Sequence, residues 1–502
     1  MDATPTRPPP RRRWWRRLIP ARVRQQAPLI ALSTVVLALV GWLLGSVQIR
    51  PYVFSSEVLE PPSITHDVQG EVELFDRSRE HTIEISVSEV EYDKMVGDYQ
   101  ASGDKTWIRA DVVIDGTRLE SVGIRLKGNS TLMSLRGHRG RPGGGPGGPN
   151  PEGAPSPAAG MPTGAAGGPG PMSTASFDDP SSLPFLLAFD EFVIGRGYQG
   201  RTRLALRPTT GGGSNLNEAL ALQLIAESGQ ISQRFTWVRL RVNGGEAVTR
   251  LVVEDPDQNY AVSLGKGAGA LYKSRSTNEF SYKGEDATAY VDDFSQRSAV
   301  GTLDLAPVIG LLRFLDEASD AEFDTELGKW VDVASFARYV ATHELLNNFD
   351  DMSGPGRNFL LWYDAGDDQF TIVSWDMNLA ISGMDMRSPG NAAPEGEGEF
   401  GRPRGPPRGG RPSGSGPGGA MRVGNTLKER FTKSAAFADV IRHARADLAA
   451  QWFESGRALA LVDELAGSVP TTSTLDANQL RDHASTLASQ IEQLQPAAST
   501  SP

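Results

Sequence analysis

Apolar and polar positions alternate through HTIEISVS (81–88), the pattern of a strand with one face buried. The same period returns in WIRADVVIDG (107–116) and LESVGIRLKG (119–128), and Asp115–Gly116 between them predicts a tight turn. SEVEYDKMVGDY (88–99) instead reads as a short helix entered from a serine cap. Further on, NLNEALALQLIAESG (215–229) has helical periodicity and stops at a glycine. FTWVRLRVNGGEAVTRLVVED (235–255) predicts two strands around Asn243–Gly244, a strong hairpin signal. Residues 304–319, 324–332 and 333–349 read as helices, and NFLLWYD and QFTIVSWD as strands around a short Ala-Gly-Asp-Asp turn. From Asn425 to Gln495 the chain is mostly amphipathic helix. Mixed elements around one core predict an α+β fold.

One run breaks these periods altogether. Pro28–Ser46, PLIALSTVVLALVGWLLGS, is 19 residues without a charge, and about 20 helical residues cross a bilayer core. Eight arginines precede it, from Arg7 to Arg24, and only Arg50 follows closely. Basic flanks stay in the cytoplasm, so residues 1–27 are expected inside and the main domain outside. A cleaved signal peptide has a shorter apolar core and a small-residue cleavage site, which GSVQIRPYVF lacks. The expectation is a single-pass cell-membrane protein that contacts the lipid bilayer through residues 28–46.

Charge sharpens this. The chain carries −11 and residues 1–27 carry +7 (eight Arg, one Asp), so the remainder is −18. Nucleic-acid binding needs clustered Lys and Arg on the binding face, so no nucleic-acid partner is expected. There is no cysteine, which excludes disulfides, thiolate zinc sites and a cysteine nucleophile. Two stretches, 136–180 and 386–421, are dominated by Gly and Pro and read as disordered insertions. The second carries five arginines.

The densest polar constellation is HELLNNFDDMSGPGRNFLLWYDAGDDQFTIVSWDMN (343–378). A helix ends near Asn347–Asn348, an acidic loop holds Asp350 and Asp351, Asn358 opens a strand, and the next strand ends at Asp376. Such a hairpin brings Asp350, Asn358 and Asp376 to one rim. Two carboxylates and a carboxamide suit a hard cation such as magnesium, and a third aspartate role, accepting a hydroxyl proton, completes a phosphoryl-transfer site. An acidic turn beside a strand-capping asparagine is the plainer alternative. Other motifs fail. His343-Glu344-Leu-Leu-Asn347 lacks the second histidine of a zinc protease. Gly265-Lys-Gly-Ala-Gly269 lacks the G-K-[ST] of a phosphate loop, and no G-x-S-x-G elbow is present.

In this order the segments resemble the CotH kinase family of atypical protein-kinase-like proteins. VGIRLKGNST (122–131) is similar to its R-x-R-G-N-S-S turn and GALYKS (269–274) to its G-x-L-Y-K strand. NNFDDMSGPGRNFLLWYD and VSWDMNLAISG are similar to N-x-D…N-Y-Y-L-Y and P-W-D-x-D. The resemblance implies an atypical protein-kinase-like fold over 71–385, after a linker at 47–70, with a helical part at 422–495 and a tail at 496–502. It implies phosphoryl transfer from ATP, with Mg or Mn, to Ser or Thr of a cell-envelope protein. Asp350 falls on the catalytic base, with Asp351 as alternative, and Asn358 and Asp376 fall on the metal ligands. Lys273, Glu254, Arg125 and Lys127 are the nucleotide-binding candidates.

Departures from the pattern favour a second reading, a catalytically inactive kinase-fold binding or surface protein. The family's basic strand K-K-P-Y-R-x-K-F is here SLPFLLAFDEF (182–192), with Ser182, Leu183, Leu186 and Ala188 at the basic positions. Asn378 replaces the second acid of P-W-D-x-D, and eight residues separate Asp350 from Asn358, where about five are usual in a kinase catalytic loop.

Overall fold

Strand alternation in the first half closes on itself. The computed structural model describes residues 64–128, 130–133, 135, 175–208, 213–264, 268–301, 303–382 and 424–499. The expected basic N-terminus, the helix at 28–46 and most of both Gly/Pro-rich insertions lie outside the described residues. No helix among the described residues is long and apolar enough to cross a membrane.

The chain enters as β1 (His66–Val68), inside the stretch expected to be linker, and pairs in parallel with β6 (Arg196–Tyr198). Between them come β2 (His81–Ser86), α1 (Glu89–Ser102), β3 (Ile108–Ile114), β4 (Thr117–Leu126) and β5 (Phe185–Ala188). Ser88 caps α1 as expected, its side chain accepting from Glu91 N. The β3–β4 turn places Asp115 at φ 48° and Gly116 at φ 85°, the backbone that Asp-Gly tolerates in a tight hairpin. The described residues resume at Ala175, ahead of the expected end of the first insertion at 180, and Pro180–Ser182 forms a 3-10 turn.

After β7 (Arg203–Leu206) and α2 (Leu216–Glu227), β8 (Phe235–Val242) and β9 (Val248–Glu254) complete a closed barrel in the order β2-β3-β4-β5-β7-β9-β8. A parallel β2–β8 pairing seals it, leaving no open edge. Ile83, Ile124, Phe185, Leu206, Val238 and Val252 fill the interior. Because side chains alternate, the outer face carries the other set. At one end that set is Arg125 and Lys127 from β4, Leu186 from β5, Ala205 and Arg207 from β7, and Val253 and Asp255 from β9.

The second half builds on α3 (Gln258–Ser263), β10 (Gly269–Ser274), β11 (Phe294–Gln296), α4 (Ala306–Glu317), α5 (Asp320–Glu326), α6 (Val333–Leu345), β12 (Phe359–Asp364) and β13 (Gln369–Ser374). The four strands form a sheet in the order β11-β10-β12-β13. Both faces are buried, which is why NFLLWY is a near-continuous apolar run. Tyr272, Phe359, Leu361 and Ile372 join the helices, while Leu271, Leu360, Trp362 and Val373 pack with Tyr260 and Trp375. Lys273 shares the Leu271 side. Helices α7 (Thr426–Lys433), α8 (Ala438–Ala449), α9 (Arg457–Ser468) and α10 (Ala477–Ser499) complete the larger core, α10 running into the expected tail.

Candidate functional site

The loop after α6 turns on backbone that few side chains tolerate. Asn347 lies at φ 47°, a left-handed conformation for which Asn is suited. Beyond it, Asp350 points across the loop: its Oδ1 accepts from Gly356 N at 2.5 Å and its Oδ2 from Asn358 Nδ2 at 2.9 Å. Two glycines make this closure possible. A Cβ on Gly356 would lie 2.6 Å from both Asn358 Nδ2 and Asp350 Oδ2, and one on Gly354 would lie 2.4 Å from Asp350 Cα.

Asp351, the alternative base, turns the other way. It is buried, ion-paired with Lys428 of α7, and accepts from Ser353 N at 2.8 Å. Its backbone oxygen also takes Gly354 N and Asn358 N. Burial alone raises its carboxyl, yet Lys428 and His343 bring it below the usual range. Asp351 therefore ties the loop down, and Asp350 faces Asn358. His343 is part of the same support, with Nε2 3.1 Å from Ser374 Oγ and Nδ1 3.1 Å from Asn348 Nδ2.

Asp376 follows β13 in the left-handed region, at φ 58° and ψ 59°. Its Oδ1 lies 2.9 Å from Arg207 Nη2. Arg207 also pairs with the buried Glu218 of α2, and although burial opposes its charge, Asp376 and Glu218 hold it protonated. Next to Glu218, Asn217 Nδ2 donates to Asn378 O at 2.7 Å and to Ala380 O at 3.0 Å. The Asp376 charge reaches Asp350. Burial, Asp376 and Asp351 together push the Asp350 carboxyl up to about 6, against the hydrogen bonds from Gly356 and Asn358.

Beside the carboxylates lies a set of cations gathered on one ring. The Trp375 indole has Lys273 Nζ at 4.4 Å, Lys127 Nζ at 5.0 Å and the Arg207 guanidinium at 5.6 Å from its centroid, within cation–π range. Lys127 pairs with buried Asp255. Among the described residues Lys273 forms no ion pair with a carboxylate; burial first, then Lys127 and Arg297, drive its ammonium well below the usual lysine range. Burial raises Asp255, but Lys127, Arg297 and Lys273 outweigh it and hold the carboxyl below its normal value. Arg125 stacks 4.8 Å over Trp107. Buried polar atoms there lack partners among the described residues: Nε of Arg125, Arg207 and Arg297, and Oδ2 of Asp255. Buried donors without acceptors are costly, so this surface suits a multiply charged anion.

Asp350 and Asn358 are thus hydrogen-bonded, Asp376 acts on Asp350 through its charge, and Lys127 and Lys273 share Trp375. Arg125 feels the same Asp255. Glu254 does not join them. Strand alternation turns it to the barrel side with Val252, where Arg201 Nε and Arg234 Nη2 each lie 3.1 Å away. Asp255, one residue on, faces the lysines instead. Arg207, Glu218, Asp255, Arg297 and Trp375 were not singled out from the sequence. The period of two along β9 could have picked Asp255 over Glu254; nothing local marks Arg207 or Glu218.

The oxygen set fits a hard divalent ion. Asn358 commits its Nδ2 to Asp350, which directs Oδ1 away from that bond, and Arg207 contacts Asp376 through Oδ1. Among the described residues no group of three or more His, Cys, Asp and Glu could hold a metal unaided. Magnesium needs only one or two carboxylates when phosphates and water supply the rest.

Comparison with curated proteins finds no match. The profile of the CotH kinase protein family matches residues 178–498, a span that includes the Asp350 loop, Asp376, Arg207 and Lys273. Kinase-like function, with use of ATP and a divalent metal, is what that membership points to. On this match over most of its length, the chain belongs to the CotH kinase protein family.

Proposed function

We propose that the chain is a membrane-anchored, extracytoplasmic kinase that moves the terminal phosphoryl group of ATP to a Ser or Thr hydroxyl of a cell-envelope protein. The observation that carries this is the juxtaposition of Asp350, Asn358 and Asp376 with the cations Lys273, Lys127 and Arg207 gathered on Trp375. Lys127, Lys273 and Arg297 are the groups suited to the phosphates. A divalent ion, Mg or Mn, on Asn358 and Asp376 supplies charge neutralisation at the transferred group. Asp350 accepts the hydroxyl proton as the new O–P bond forms and the bond to ADP breaks. Held rigidly by Gly356 N and Asn358, its carboxylate costs little reorganisation as the reaction proceeds. The uncharged run 28–46 behind eight arginines supports the anchored, outward placement.

The basic positions missing from 182–192 do not weigh against this reading. Leu186 lies on the outer barrel face between β4 and β7, and those neighbouring strands bring Arg125, Lys127 and Arg207 instead.

The test uses the full chain in detergent with labelled ATP and Mg2+ or Mn2+, beside Asp376→Ala. Label transfer to the chain itself or to casein, lost in the variant, is the expected result. Nucleotide binding without transfer supports the inactive binder. A folded sample that binds no nucleotide with either metal overturns the kinase reading.

A further inference from the structure

Helix α2 grips the Asp376 turn with two consecutive side chains. Asn217 holds the backbone at Asn378 and Ala380. Glu218, completely buried, takes the Arg207 guanidinium, and the same Nη2 reaches Asp376 Oδ1 at 2.9 Å. A charge that guanidinium chemistry makes permanent therefore sits against one oxygen of the carboxylate best placed to bind metal.

Two-metal phosphoryl-transfer sites place their ions about 3.5–4 Å apart, commonly bridged by shared oxygens. A second ion sharing Asp376 Oδ1 would meet the guanidinium. Most other local oxygens are committed: both Asp350 oxygens to Gly356 and Asn358, Asp351 to Lys428 and Ser353, Glu218 Oε1 to Arg207. Glu218 Oε2 and Asp255 Oδ2 have no partner among the described residues, but each belongs to a buried carboxylate already paired with a cation. No further His, Cys, Asp or Glu cluster among the described residues makes up the deficit. With the guanidinium against Asp376 Oδ1, Asn358 and Asp376 are left to hold one ion.

We propose that Arg207 stands in place of a second metal ion, so that this site takes one divalent ion per nucleotide. The inference rests on the nucleotide-binding reading above. Arg207 is a positioning residue here: it orients Asp376, neutralises one of its oxygens and blocks a second ion. Its Nε is buried and without a partner among the described residues.

The test is electron paramagnetic resonance of Mn2+ bound to the full chain with a non-hydrolysable ATP analogue. Wild type should show a single uncoupled Mn2+ per chain. Arg207→Gln frees Glu218 and Asp376 as ligands and should admit a second ion, seen as a spin-coupled pair. Arg207→Lys keeps the cation and should retain the uncoupled signal, a control for folding. A coupled pair in wild type overturns the inference alone and leaves nucleotide binding standing. So does a folded Arg207→Gln that still binds one ion. Absence of any nucleotide-dependent Mn2+ signal in wild type overturns the nucleotide reading, and this inference with it.

Discussion

The two sides of the site are built in opposite ways. On the Asp350 side both oxygens of Asp350 and both of Asp351 have donors, and the loop is braced by Lys428, Tyr339 and His343. On the Trp375 side cations outnumber carboxylates, and several buried nitrogens have no acceptor among the described residues. The first arrangement is finished without ligand and fixes geometry. The second is finished only by an anion, so ligand binding energy should concentrate there. Substitutions on the two sides should accordingly separate rate from affinity.

The largest break in this contrast is Asp350→Asn. It keeps the side-chain shape but removes the proton acceptor, and its amide nitrogen cannot accept from a loop donor, so one of the two loop bonds is loosened; kcat should fall about 10²–10⁴-fold with nucleotide affinity little changed. Labelled phosphate transfer and calorimetric nucleotide binding check both halves.

Gly356→Ala comes next. The new methyl would press on Asp350 and Asn358 at 2.6 Å, and a displacement near 1 Å can cost roughly 10²-fold in rate. Equal loss of kcat and of nucleotide affinity would show that the two sides are not separable.

On the cation side, Lys127→Met and Lys273→Met should diverge. Lys127→Met strips Asp255 of its ion pair and should destabilise the protein by about 3 kcal/mol. Lys273→Met removes a buried cation that has no ion-paired carboxylate among the described residues, so thermal stability should hold or rise slightly, while nucleotide binding weakens about tenfold. Equal destabilisation in both would mean that Lys273 is already satisfied.

The smallest effect is a pH dependence. The Asp350 carboxyl, raised to about 6, must be anionic to accept a proton. Activity should therefore rise with pH and reach half its plateau near that value. Because the folded-state value exceeds the unfolded 3.8, Asp350 favours the folded state at low pH, and that contribution is lost as pH rises through about 6. Asp376→Asn removes a charge that raises it, so its titration, read by carboxyl carbon resonance, should move down.

Much of this was legible in the sequence, for definite reasons. Alternation marks a strand whatever its partner, so β2 to β4 and the β8–β9 and β12–β13 hairpins could be read directly. Asp350, Asn358 and Asp376 could be placed together because they punctuate the ends of adjacent elements. Closure of the barrel was not legible, since the parallel β2–β8 pairing joins strands about 150 residues apart. Nor was β1, whose three residues carry no period and gain their form from β6. Glu254 was a candidate through the family resemblance alone, whereas the pleat decides that Asp255 faces the lysines.

Trp375 gathers its cations in a way a carboxylate could not. An acid that collected Lys273, Lys127 and Arg207 would also cancel them. The indole face attracts them through its quadrupole and has no net charge to give, so their positive potential stays available to an incoming anion. The same contact makes the ring a built-in optical sensor: an anion that draws the ammonium groups off the indole should change its emission, and Trp375→Phe should abolish that response.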